Sequence, residues 1–180
     1  AAAAILLGLL SAVPAAADDA MTAAAAQFYA VYGTFHPSDG IPDAAGRVRL
    51  APVLSAQLNR RLADAARAED RFNARNRGSP PLLEGDIFTS NFEGATTYKV
   101  GACAANGKTG QCKVELVYDD SKTNPKDKPA RWTDTAFLVL TGQGWKIDDI
   151  GYGASWDFAN KGKLSGQLKW ADAESRRPVE

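Results

Sequence analysis

Two aspartates in the C-terminal half, Asp134 in WTDTAFLVL and Asp149 in GWKIDDI, have the residue type and spacing that acid/base chemistry needs. Both segments read as strands, separated by Thr141-Gly142-Gln143-Gly144. With Gly142-Gln143 as a two-residue hairpin turn, Leu140 faces Trp145, Leu138 faces Ile147, Ala136 faces Asp149 and Asp134 faces Gly151. That register sets both carboxylates on one sheet face with Trp132, Trp145, Leu138 and Ile147. A carboxylate held against an apolar face loses hydration, which raises its pKa toward the range where a general acid or base works. A scaffolding role competes with this one: an aspartate pairs with a neighbour such as Arg131, or caps a loop. A turn one residue longer would also flip one strand against the other.

Three further groups bear on a site. Met21, Ala25, Phe28, Tyr32 and Phe35 recur at helical spacing, and Tyr29 and Tyr32 bring hydroxyls that need partners when buried; with Trp145 they are the candidate lining of a ligand pocket. Plain core packing explains the same stripe. His36 is the only histidine, at the end of that helix, which excludes a multi-histidine metal site and fits a dipole-stabilised imidazolium. Asp86 and Glu93, in the Gly-flanked stretch GDIFTSNFEG, either face the interior or, for Asp86, cap local amides. Walker, G-x-S-x-G, H-E-x-x-H and paired C-x-x-C signatures are absent, and no cofactor is implied.

The elements that must position these residues divide in two. A helix is expected from Asp18 to Phe35, with Asp18 and Asp19 at its start and Pro37 ending it. The following GIPDAAGRVR, with Arg47 and Arg49, reads as a solvated turn. A second helix runs from about Leu54 to Arg75, with Leu54, Leu58, Leu62, Ala65, Glu69 and Phe72 on one face. Arg60, Arg61, Asp64, Arg67, Asp70 and Arg71 lie on the others, a mixed-sign solvated surface. After Gly94 the period changes to two: Thr96–Ala102 and Cys112–Tyr118 form a hairpin with a long turn around Asn106-Gly107. Pairing its apolar faces conflicts with strict alternation at Cys103, and a bulge near Gly101 resolves the conflict. The chain ends with Tyr152, Trp156 and Phe158 sealing the sheet edge, then Leu164, Leu168 and Trp170 in a short helix. Residues 171–180 are expected to fray.

The 180 residues include 21 basic and 21 acidic groups, so no net field steers the protein to nucleic acid or an anionic membrane. AAAAILLGLLSAVPAAA has the apolar run, Pro14 and small-residue end of a signal peptide, with cleavage expected after Ala17 and the start of the leader missing. The run is too short for the roughly 20 residues of a membrane span, and no cysteine follows it to carry a lipid. The remainder, 18–170, fits one domain. In an exported chain, Cys103 and Cys112 are expected to form a disulfide stapling the hairpin.

GDIFTS with NFEG (85–94), GWKIDDIGYG (144–153) and WDFANKGKL (156–164) together resemble a family of small bacterial envelope proteins of unknown function. That family has a nuclear-transport-factor-two-like, cystatin-like fold. The resemblance implies an α+β architecture in which N-terminal helices pack on a curved antiparallel sheet of about four strands, forming a cone. It brings no catalytic residues with it. Many members look like lipoproteins, and the absence of a lipid-site cysteine after the apolar run is a departure from that pattern that puts membrane attachment in doubt. The expectation is therefore a periplasmic or secreted protein without a membrane anchor or nucleic-acid ligand, binding a protein partner as an envelope accessory or inhibitor. The alternative is a small-molecule lyase or isomerase using Asp149 or Asp134 in the cone.

Overall fold

The computed structural model describes residues 14–34 and 40–177. The expectations for Phe35, His36 and the leader up to residue 13 lie outside the described residues. Four helices pack on one curved, open sheet: α1 (Pro14–Tyr32), α2 (Ala44–Leu50), α3 (Ala56–Arg75), β1 (Thr97–Asn106), β2 (Thr109–Tyr118), β3 (Ala130–Thr141), β4 (Gly144–Gly151) and α4 (Leu164–Glu174). The strands form an antiparallel meander in the order β1-β2-β3-β4. The fold is α+β, as the change of period after Gly94 predicts.

Helix α1 buries Met21, Ala25, Phe28, Tyr29 and Tyr32 against the sheet. It starts at Pro14 rather than Asp18, because proline suits a first helical position where its missing N–H is no loss. Asp18 and Asp19 therefore sit inside the helix and not at its cap. Gly110 on β2 faces Met21, where an added Cβ would collide with the sulfur. The stretch read as a solvated turn contains α2, whose N-terminus is capped by Asp43 accepting from Gly46 N at 2.7 Å. Its Arg47 donates to Pro42 O at 2.6 Å. So short a helix, with a glycine inside it, has no sequence periodicity to show. Ser55 caps α3 by accepting from Leu58 N, and Leu54 pairs instead with Ile147 beside β4.

The hairpin carries the expected bulge. Val100 faces Val114 and Cys103 faces Cys112, so β1 spends one extra residue between them and Cys103 reaches its partner. The disulfide is formed. The turn is shorter than expected, two residues long, since Asn106 already pairs with Thr109.

The second hairpin differs from its expected register in one respect. Leu140 faces Trp145 and Leu138 faces Ile147, but Phe137 then faces Asp149 and Ala136 faces Ile150. Asp148 is the extra residue. Regular alternation through Ile147-Asp148-Asp149-Ile150 would bury Asp149 and expose Ile150. The bulge turns both isoleucines into the core, where each is fully buried, and sends both aspartates elsewhere. Ser55 holds the irregularity, donating its amide to Ile147 O at 2.7 Å and its hydroxyl to Asp148 Oδ1 at 2.5 Å. Asp134 and Asp149 thus lie on opposite faces of the sheet.

At the C-terminus, Tyr152 and Trp156 pack against the core, whereas Phe158 is 91% exposed and Trp170 48% exposed, so neither of these two seals the sheet. Helix α4 continues past Trp170 because Ala171 is buried, and Ser175 closes it with its amide on Ala171 O. The segment expected to fray is ordered through its first residues by this packing.

Candidate functional site

The three sequence stretches that carry the family resemblance meet at one buried polar cluster. GDIFTSN (85–91) turns into the interior, and Asp86, Thr89 and Ser90 are all buried. Asp86 Oδ1 accepts from Phe88 N at 2.6 Å and Thr89 N at 3.1 Å, the local capping expected of an aspartate in a turn. Its Oδ2 accepts from the Tyr32 hydroxyl at 2.5 Å, and that hydroxyl accepts from Ala95 N at 2.9 Å. Gly94 permits this approach: with φ at +84°, an added Cβ would lie 2.7 Å from Tyr32 Oη and 2.8 Å from Asp86 Oδ2.

Asp134 enters the same region from β3. Its carboxylate accepts from Ser90 N at 2.8 Å, Trp132 Nε1 at 3.0 Å, Gly153 N at 2.9 Å and the Ser90 hydroxyl. None of these donors is a cation, so the pairing considered with Arg131 is not made. Asn160 completes the cluster, its amide donating to Asp86 O and Thr89 O at 2.8 Å each, while Tyr152 donates to Ile87 O at 2.6 Å.

Burial pushes the Asp86 carboxyl up to about 7 from its ordinary 3.8, with Asp134's charge adding to the effect and the hydrogen bonds from Tyr32, Phe88 and Thr89 opposing it. Burial likewise raises Tyr32 and Tyr29 well above the usual phenol range, Asp86 contributing to both. The Tyr29 hydroxyl is the one buried side-chain polar atom without a hydrogen-bond partner among the described residues. Its ring stacks on Tyr98 at 5.2 Å and meets Phe28 edge-on at 5.0 Å.

The remaining predicted site residues lie elsewhere. Asp149 accepts from Ser165 N at 2.9 Å and Ser165 Oγ at 2.6 Å, so it serves as the N-terminal cap that α4 lacks in its own sequence, where Lys163 occupies the cap position. Trp145 lines an open groove of about 590 Å³ between the β3–β4 turn and the alanine-rich face of α1. The expected constellation of Asp149, Trp145 and a tyrosine is therefore not assembled. Tyr32 meets Asp86, and Asp134 stands beside Ser90.

Sequence reasoning did not anticipate a second groove, about 570 Å³, along the seam of α3 and α4. Arg61, Arg67 and Arg71 from α3, Lys169 from α4 and Arg176 just past its end line it, against the two carboxylates Asp64 and Asp172. Arg71 and Arg176 both pair with Asp172, at 2.9 and 3.0 Å, and Arg67 pairs with Asp64. Arginines recurring along α3 were a visible signal. Of the C-terminal half of the groove, Ser165, Gly166, Leu168 and Lys169 lie in the short helix the sequence indicates, and only Asp172 and Arg176 come from the segment expected to fray.

Among the described residues no group of His, Cys, Asp and Glu side chains forms a metal site, and no helix is long and apolar enough to cross a membrane. No family model, curated protein or solved structure matches the chain.

Proposed function

We propose that the chain is an exported, non-enzymatic protein that binds a protein partner in the bacterial periplasm, as an envelope accessory or inhibitor. The observation that carries this reading is the consumption of the interior carboxylates by the fold itself. Asp134 has four donors from Ser90, Trp132 and Gly153, and Asp86 has three from Tyr32, Phe88 and Thr89. A general base needs a lone pair aimed at a substrate proton, and of about four acceptor sites on each carboxylate the scaffold fills four on Asp134 and three on Asp86. Phe28, Tyr29, Tyr32 and Phe88 fill the space around them, and neither groove described above is lined by Asp86 or Asp134. The disulfide supports export, because such bonds persist in oxidising compartments. The curved four-stranded sheet with α1 packed on it is compatible with membership of the nuclear-transport-factor-two-like envelope family.

A lyase or isomerase is the second reading, favoured by the Tyr32–Asp86 pair, whose carboxyl near 7 is suited to proton transfer. Two-dimensional NMR with pools of small carbonyl compounds and sugars separates the two. The proposed function expects resonances of Tyr32, Asp86, Phe88 and Ser90 to stay unmoved. Saturable shifts confined to those residues would overturn it in favour of the enzyme.

A further inference from the structure

The seam between α3 and α4 is a cleft with a charge surplus in a chain whose total charge is zero. Five cations face two carboxylates. Both carboxylates are already engaged by Arg67, Arg71 and Arg176, while Arg61 and Lys169 have no ion pair among the described residues. A second, adjoining cleft of about 490 Å³ shares Arg71 and Arg176 and adds Arg75, so the cationic track continues toward the C-terminal end of α3. Arg75 and Arg71 are partly committed to holding α4, donating to Ser175 O and Ser175 Oγ. The surplus charge open to a ligand is therefore concentrated around Arg61 and Lys169.

On this basis, and resting on the reading of the chain as a partner-binding protein, we propose that the α3–α4 cleft receives an extended acidic segment of the partner. Size and chemistry both select that occupant. From Arg61 to Arg71 the helix rises about 15 Å, at 1.5 Å per residue. A strand of about five residues, at 3.3 Å each, spans the same distance. Carboxylates on such a segment meet guanidinium groups with the planar fork geometry that arginine offers. Its backbone N–H groups are donors for the second oxygen of Asp64, whose Oδ1 alone is taken by Arg67. A phosphodiester backbone has the charge but no such donors. Gly166 leaves the cleft floor open: a Cβ added there meets no atom within 4 Å.

Fluorescence anisotropy with a labelled decaglutamate peptide tests the site, with decaglutamine and a single-stranded DNA decamer as comparators. Decaglutamate is expected to bind at least tenfold more tightly than either at low salt, and to weaken severalfold as salt is raised. Arg61→Glu with Lys169→Glu should weaken it tenfold or more, the corresponding glutamine pair by less. Gly166→Glu, which adds one carboxylate without touching the core, should weaken binding severalfold, less than the four-unit charge reversal, at an unchanged melting temperature. Affinities within twofold of wild type for these variants would overturn the proposal, as would tighter binding of the DNA. An envelope partner that binds wild type and the Arg61/Lys169 reversal equally would also overturn the cleft assignment while leaving the partner-binding reading intact. That reading fails separately, on the core NMR shifts described above.

Discussion

Replacing Asp86 with asparagine should abolish the pH dependence of stability that this carboxyl contributes to the buried cluster. In the folded protein the carboxyl is neutral up to about pH 7, whereas its ordinary value is 3.8. A group whose folded pKa is raised contributes stability that is fully present below the unfolded pKa and lost as pH rises through the folded one. The gap corresponds to about 4 kcal/mol, lost between about pH 4 and pH 7. The groups around it are Tyr32, Tyr29, Tyr152 and Asp134, none of them cationic, so nothing in the cluster offsets the cost of ionisation. The asparagine variant does not titrate. Its carbonyl still accepts from Phe88 N and Thr89 N, but its amide confronts the Tyr32 hydroxyl, a mismatch worth about 1–2 kcal/mol. Urea titrations followed by tryptophan fluorescence, at half-unit steps from pH 3.5 to 8, provide the assay. Wild type should be the more stable at pH 3.5 and the variant at pH 8, with the difference moving by up to about 4 kcal/mol. Parallel stability curves would refute the assignment of a buried, proton-holding Asp86.

Gly94→Ala forces a left-handed backbone on a residue with a Cβ and drives that Cβ into Tyr32 and Asp86, so a loss of about 3 kcal/mol is expected in chemical denaturation, and a loss below about 1 kcal/mol would contradict the geometry. Asp149→Ala removes the cap of α4 supplied from β4. It should cost about 1–2 kcal/mol and speed hydrogen exchange first at the α4 amides; uniform acceleration across β4 would speak for a wider role. Replacing Cys103 and Cys112 together with serine opens a loop closed over a sequence separation of 9, and chain entropy puts the loss at about 2.5 kcal/mol. An unchanged denaturation midpoint would mean the hairpin needs no staple.

Local pattern alone determined the element types of the long segments, the disulfide and the first bulge. The α1 stripe, the α3 face and the period-two runs each report on their own environment, because one buried face imposes its period on the sequence. Cys103 and Cys112 added a constraint strong enough to reveal a parity conflict within a single hairpin. The second bulge had the same cause, two isoleucines three residues apart, but Asp149 looked equally placeable. What decided it was Ser55 from a distant helix start, holding Asp148 on the strand edge. The candidate site followed the same rule. Asp86, Ser90, Asp134 and Asn160 are polar residues from three separate stretches, and nothing in any one stretch says which donors the others will supply. Only the tertiary structure decided that the interior carboxylates are used up by the fold, and that packing of α4 beside α3 turns a solvated arginine face into a cleft.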